Sequence, residues 1–411
     1  MRIKEAAFLV LFFVVLTVTF SISLFEVFSG LFLILSFIAF FKERPPKIFK
    51  GAFIFCMAVY FFMNLLSVTQ SGYLWTSTRG VFKVLRQILL CLAVIFVLDS
   101  ESKLKKIIQW ILAVGLFISI DALAQGLTDV EFLRGRKMTP LLADVGRLTG
   151  PFHHANDFSA YLTVLFILFL SFSVISFQGR SFKKRLFYWV GLGLTASCLL
   201  GTYSRGAWIA VIVTWVIAVF IQKSRFLAVL LLALVFWTVF FTPPLVKMRL
   251  TAFSERNGGT FVERRELWGE SIRMIRQKPW LGLGVNTYAR NEPYYKSGKP
   301  NIDNQYAHNG YLQMAAEIGL LGLASFLVLL AVFFAGTLPV FANSPNAFLR
   351  VGGTGLTLGI LAFLLHSMTD TDLHSLVLIN WFWILLGIAW AARNQALWKS
   401  CPGLSDSHEV S

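Results

Sequence analysis

The sequence predicts an all-α integral membrane protein of about 12 transmembrane helices with a large polar loop between helices 9 and 10. Three observations carry this. The chain is 56% hydrophobic and only 14% charged over 411 residues, whereas a soluble domain carries roughly a quarter charged residues. It contains 41 phenylalanines. Apolar runs of about 20 residues, the length that crosses a bilayer as a helix, recur along its whole length.

In order, the apolar runs cover 6–23, 25–41, 51–68, 80–98, 104–124, 156–177, 186–203, 206–222, 226–242, 309–338, 348–368 and 375–392. The first follows Arg2 and Lys4 and has the outline of a signal peptide. It lacks a small-residue cleavage site and leads straight into another apolar run, so it reads as a retained span. Residues 1–411 then form one polytopic membrane domain, with 393–411 as a tail. Cys56, Cys91, Cys198 and Cys401 show neither metal spacing nor a disulfide framework. A net charge of +16 in a soluble protein would point to nucleic acid. Here the charges are divided between two sides of a membrane, and no nucleic-acid partner is expected. There is no internal repeat.

The loops set the direction. The turns KERPPK (42–47), ESKLKK (101–106), GRSFKKR (179–185) and QKSR (222–225) are short and basic. The positive-inside rule places them, and both termini, in the cytoplasm. The opposite face then collects a polar loop at 125–155 and the long insertion at 243–307. Within the insertion, turn residues at Ser254 to Gly259 precede a helical stretch from Phe261 to Gln277. Pro279 and the Gly282-Leu283-Gly284 turn end that stretch.

Most of the unusual polar residues fall on this outer face. Arg205, in TYSRGAW, lies between two apolar runs, where an arginine costs several kcal/mol unless paired or hydrated. It either snorkels to the interface or serves an anion site. Arg264, in VERRELW, shares a helix face with Trp268. Its partners are either Glu263 and Glu266 in a solvated charge run, or a ligand; Arg265 is the less favoured neighbour. Arg79, Lys83 and Arg86 are spaced i, i+4, i+7 and put three cations on one face of the fourth span. Such charges face protein, water or lipid phosphate rather than acyl chains. Interface anchoring accounts well for Arg79, less for Lys83 and poorly for Arg86.

GRLTGPFHHANDFSAYL brings Arg147, the adjacent His153 and His154, and Asn156 to the start of the sixth span. Adjacent histidines rarely chelate alone, so no metal is expected there. HSMTDTDLH supplies His366, Asp370, Asp372 and His374 on the last outer turn. Asp370-Thr371-Asp372 has the DxD form used for divalent cations, which alone is weak evidence. His308 opens the tenth span beside Asn309. A lone histidine there is usually a satisfied polar residue. Sharing a face with membrane-edge arginines and an aspartate makes it a candidate base, because imidazole as a class accepts protons near neutrality.

These residues resemble a known family. His308-Asn309, nine residues, then Gly319-Leu320-Leu321-Gly322 match the H-[NSQ]-x9-G-x-x-G signature of the O-antigen ligases (WaaL) and their O-antigen polymerase relatives, the Wzy_C-type superfamily. SRGAW, RELW, KPWLGLG and GPFHHANDFSAYL are similar to that family's pattern too, and the likeness spans residues 147–390. The resemblance implies a C-type glycosyltransferase of the bacterial inner membrane with its active site facing the periplasm. It implies a donor glycan on undecaprenyl diphosphate and, for a ligase, an acceptor sugar hydroxyl on lipid A–core oligosaccharide. It also implies His308 as general base and Arg205 and Arg264 on the donor diphosphate, with Arg265 beside them.

The residues support compatible chemistry. Displacing a diphosphate from an anomeric carbon needs an activated hydroxyl and a stabilised leaving group. A histidine supplies the first and arginines the second, through bidentate, charge-assisted hydrogen bonds. In-line attack inverts the anomeric configuration. No metal or other cofactor is expected, since two arginines can take the place of a cation. Asp370 is expected to orient His308. Arg79, Lys83 and Arg86 are expected on acceptor phosphates and Arg147 on the acceptor, with Asn156 and Asn309 as further site residues. Gly319 and Gly322 are expected to serve close helix packing. The chain is expected to be a monomer or weak oligomer. A polymerase of lipid-linked repeats is the nearest rival, and a lipid-linked oligosaccharide transporter is the rival from another class.

Overall fold

The computed structural model describes residues 3–43, 51–142, 145–175, 182–241, 260–296 and 306–400. The basic turns at 42–47 and 179–185 lie partly outside these residues. The turn from Ser254 to Gly259, Cys401 and the tail beyond residue 400 lie wholly outside them.

Helices dominate. They are α1 (Ile3–Phe20), α2 (Ile22–Lys42), α3 (Ala52–Ser67), α4 (Leu74–Val97), α5 (Glu101–Thr128), α6 (Ala155–Ile175), α7 (Phe182–Gly201), α8 (Arg205–Gln222) and α9 (Arg225–Phe241). After these come α10 (Thr260–Gln277), the short α11 (Tyr288–Asn291), α12 (Gly310–Ala342), α13 (Thr354–His366) and α14 (Leu378–Ser400). Each apolar run read from the sequence coincides with one of these helices. Among the described residues, nine helices are long and apolar enough to cross a membrane. The 125–155 loop is more ordered than its polarity indicated. It contains an antiparallel hairpin of β1 (Thr139–Leu142) and β2 (Val145–Arg147), with Thr139 opposite Arg147.

At the centre, α6 packs against α13 and α7, α14 against α4, and α12 against α3. Buried residues occur all round α6, as expected of a helix enclosed by others rather than facing lipid. Gly355 and Gly359 of α13 meet Ser171 and Val164 of α6, and the four-residue spacing of small residues allows the two backbones to approach. The exposed Phe37, Phe55, Phe220 and Leu232 lie on outward faces of apolar helices, where lipid replaces the core.

Ion pairs mark one end of the bundle. Lys4 pairs with Asp99 at 2.8 Å and Glu43 at 3.7 Å, and Lys103 pairs with Glu5 at 2.8 Å and Asp99 at 3.0 Å. This joins the start of α1, the end of α2 and the α4–α5 turn. From there α1 rises about 27 Å at 1.5 Å per residue. Its far end, Thr19 and Phe20, lines the cavity described below. The charged cluster and the cavity therefore sit at opposite ends of the bundle.

Gly319 does something other than helix packing. Gly319 (φ 73°, ψ 178°) interrupts the helical geometry inside α12. The break exposes backbone groups that the KPWLGLG loop satisfies: Leu283 and Gly284 donate to the carbonyls of Ala316 and Glu317 at 2.9 and 2.8 Å. In return, Leu320 donates to Pro279 at 2.7 Å and Leu321 to Trp280 at 3.3 Å. A Cβ on Gly319 would lie 2.1 Å from the Trp280 carbonyl oxygen. This joint ties the segment after α10 to α12.

Candidate active site

The turn from 367 to 374, between α13 and α14, organises the site. Gly310, the first residue of α12, donates its N–H to the carbonyls of Ser367 at 2.8 Å and Asp370 at 3.0 Å. Asn309 is the N-cap of α12; its side-chain oxygen accepts the N–H of Tyr311 and Leu312, both at 3.0 Å. Its role is therefore to start the helix. His308 precedes it with φ 46°, a left-handed conformation uncommon for a residue with a Cβ. That turn sends the imidazole toward Asp370: Nδ1 lies 3.2 Å from Asp370 Oδ1.

Asp370 is buried and its oxygens are engaged on both sides. Oδ1 also accepts the Thr371 N–H at 2.8 Å. Oδ2 accepts from Asn156 Nδ2 at 2.5 Å and lies 3.6 Å from Arg264 Nη2. Asn156 Oδ1 in turn accepts from Arg147 Nη2 at 2.6 Å, and Arg147 Nε donates to the Thr202 carbonyl at 2.7 Å. One chain of contacts thus runs from His308 through Asp370 and Asn156 to Arg147, joining α12, the 367–374 turn, α6, β2 and the α7–α8 turn. Burial alone would raise the Asp370 carboxyl. The His308 hydrogen bond and the charges of His308, His366 and Arg264 more than offset it, holding the carboxyl well below the usual carboxylate range.

Arg264 reaches Asp370 from α10, so its partner is not an intrahelical glutamate. Arg205 opens α8 on the same side, close enough for the two guanidiniums to repel. Gly206 makes this placement possible, since a Cβ there would meet Thr369 Oγ1 at 2.1 Å. Arg265 faces outward and is exposed. The second aspartate of the DxD sequence serves a different histidine. Asp372 Oδ2 lies 2.7 Å from His366 Nδ1 and accepts from Ser367 Oγ at 3.0 Å. Burial, reinforced by the Asp370 charge, raises the Asp372 carboxyl despite the opposing His366 and Ser367 contacts. The two aspartates thus hold two separate imidazoles.

A cavity of about 770 Å³ opens beside His308 and Asp370, lined also by Arg147, Asn156, His153 and His374. Residues 190–327 match the family model described as O-Antigen ligase. The likeness to that family covers this segment, about a third of the chain. No curated protein matches the chain. The matched O-antigen ligase segment contains Arg205, Arg264 and His308, whereas Arg147, Asn156 and Asp370 reach the site from outside it.

The Arg79–Lys83–Arg86 ladder is not brought to the cavity. Arg79 lies over the Trp75 ring, Lys83 donates to Asn286 Oδ1 at 3.2 Å, and Arg86 pairs with Glu26 of α2. These protein partners account for charges that the sequence reading assigned to acceptor phosphates. Sequence reasoning also missed Glu317. This buried carboxylate accepts the N–H groups of Asn286 and Tyr288, both at 3.0 Å, and lies 3.6 Å from His374. Its signal was present as the one acidic residue in the apolar α12 sequence.

Proposed function

We propose that the protein is an O-antigen ligase: it transfers a glycan from undecaprenyl diphosphate to a sugar hydroxyl of lipid A–core oligosaccharide on the periplasmic face of the inner membrane. The observation that carries this reading is the His308–Asp370 pair in a cavity, with Arg264 on the other carboxylate oxygen. When Nδ1–H donates to Asp370, Nε2 is left to accept a proton. The acceptor hydroxyl then loses its proton to His308 Nε2 as its oxygen bonds to the anomeric carbon. The bond from that carbon to the diphosphate breaks, and undecaprenyl diphosphate leaves with the electron pair. A positioned base of this kind contributes about 10²–10⁴-fold. Arg205 and Arg264 take the leaving diphosphate; their mutual repulsion favours an anion between them. Inversion follows from in-line attack. The lysines of the ion-pair cluster, Lys4 and Lys103, at the end of the bundle away from the cavity, support a periplasmic orientation of the site under the positive-inside rule, which counts Lys and Arg rather than net charge.

The test is transfer by purified protein in lipid nanodiscs, with a lipid A–core acceptor and a second lipid-linked donor offered in separate reactions. Product on the lipid A–core acceptor is expected. Product only on the second donor would establish a polymerase. Relocation of the donor across vesicles without product would establish a transporter. The polar residues gather at one end of the bundle rather than at its midplane, which favours a transferase over a transporter.

A further inference from the structure

The cavity beside His308 is lined by more arginine and histidine side chains than proton abstraction needs. Arg134, Arg147, His153, His154, His308 and His374 line it, against the carboxylates of Asp157 and Asp370. Asp370 is already engaged by His308, Asn156 and Arg264. Neither Arg205 nor Arg264 is among the lining residues, so the arginines that line the cavity are Arg134 and Arg147.

The turn that bears Arg134 is held firmly. Buried Glu131 accepts the N–H groups of Arg134 at 2.9 Å and Arg136 at 3.1 Å, which fixes the turn bearing Arg134. Gln125 of α5 ties this turn to the 149–150 segment, donating to the Arg136 carbonyl at 3.0 Å and accepting from Thr149 and Gly150 at 3.0 and 3.1 Å. Arg136 donates to His153 Nε2 at 2.8 Å. Burial and the charges of Arg136, Arg134 and His154 lower the His153 pKa, consistent with a neutral ring that accepts. The Arg134 side chain is exposed and, among the described residues, makes only a long, 3.4 Å contact to the Pro151 carbonyl. Thr139, opposite Arg147 in the hairpin, also lines the cavity, and its hydroxyl oxygen is buried with no hydrogen-bond partner among the described residues. Two guanidiniums and an unsatisfied hydroxyl lining one cavity are the donors a phosphate oxygen cluster takes.

Leu127 and Phe132, 90% and 88% exposed, precede Arg134 in the chain. Such residues suit the membrane interface. The α1–α2 turn, with Ser21 and Ile22, also lines the cavity.

We propose that Arg134, with Arg147 and the Thr139 hydroxyl, forms a subsite for a phosphate monoester carried by the acceptor glycan, and so selects a phosphorylated acceptor. This rests on the transferase reading for its consequence in turnover, but its binding can be measured separately. The same phosphate chemistry could come from the donor diphosphate, and the assay separates the two sources.

In nanodiscs, mannose 6-phosphate and mannose serve as probes for equilibrium binding to the full-length protein, to Arg134→Ala and to Arg134→Lys. The sugar phosphate is expected to bind tighter than mannose, with a preference that falls about tenfold or more in Arg134→Ala and is largely kept in Arg134→Lys. In turnover, the preference in kcat/KM for a phosphorylated over a phosphatase-treated acceptor should fall by a similar factor in Arg134→Ala. Equal binding of both sugars, or a preference that Arg134→Ala leaves intact, overturns the subsite. A raised KM for the donor instead of the acceptor assigns Arg134 to the diphosphate and overturns it too. Phosphate-selective binding that depends on Arg134, without any glycan transfer, would uphold the subsite and reject the transferase reading.

Discussion

Replacing Gly319 with alanine probes the joint that connects the arginine-bearing α10 to the histidine-bearing α12. The residue adopts φ 73° and ψ 178°, a region essentially reserved for glycine. Forcing a side chain there costs about 1–3 kcal/mol. The new Cβ would also fall 2.1 Å from the Trp280 carbonyl oxygen and 2.3 Å from its carbon. Moving that peptide breaks at least the Leu321 N–H to Trp280 hydrogen bond and strains its three neighbours in the joint. Leaving that N–H unpaired in a membrane-spanning helix, away from water, costs about 1–3 kcal/mol more. The sum, roughly 2–6 kcal/mol, is a large part of the 5–15 kcal/mol that typically holds a domain folded. The assay is thermal unfolding of purified protein in detergent, together with its yield from membranes. Gly30→Ala is the control, because nothing lies within 4 Å of a Cβ there. Gly319→Ala should lose most of the yield or melt several degrees lower, and Gly30→Ala should stay near wild type. Equal stability of the two variants would refute the joint.

The outline of this arrangement was legible in the sequence because it depends on local pattern. Apolar runs mark the helices, and Pro279 after a charged amphipathic stretch marks the end of α10. The polar residues of the outer loops mark the face on which the site forms. What the sequence did not yield are contacts between segments far apart in the chain. Arg86 read as an unsatisfied cation because Glu26, sixty residues earlier, is not visible as its partner until α2 and α4 pack. Gly319 read as a packing residue because the loop that docks on it precedes it by some forty positions. Asp370 and Asp372 read as a possible cation pair because spacing alone cannot show that each holds a different histidine. The hairpin at 139–147 was missed because its strands are too short to give an alternating pattern.

Asp370→Asn should retain the fold but lower kcat about 10²–10⁴-fold, because an amide cannot accept from His308, Asn156 and Thr371 together; near-normal kcat would remove Asp370 from the mechanism. Since the Asp370 carboxyl is held low, it stays ionised where an imidazole titrates. Transfer should therefore decline on the acid side as a single ionisation when the base takes up its proton, and a two-proton acid limb in the pH–rate profile would contradict this. Purified protein should keep its activity after EDTA treatment, because each carboxylate of the DxD sequence is committed to a histidine; loss of activity restored by Mg²⁺ or Mn²⁺ would overturn that.

The most direct measurement is single-turnover glycan transfer by His308→Ala, with donor binding followed in the same preparation. The account predicts that the variant inserts, accumulates and binds lipid-linked glycan as wild type does, while transfer falls by at least about 10²-fold. Transfer within a few-fold of wild type would contradict the assignment of His308 as the base.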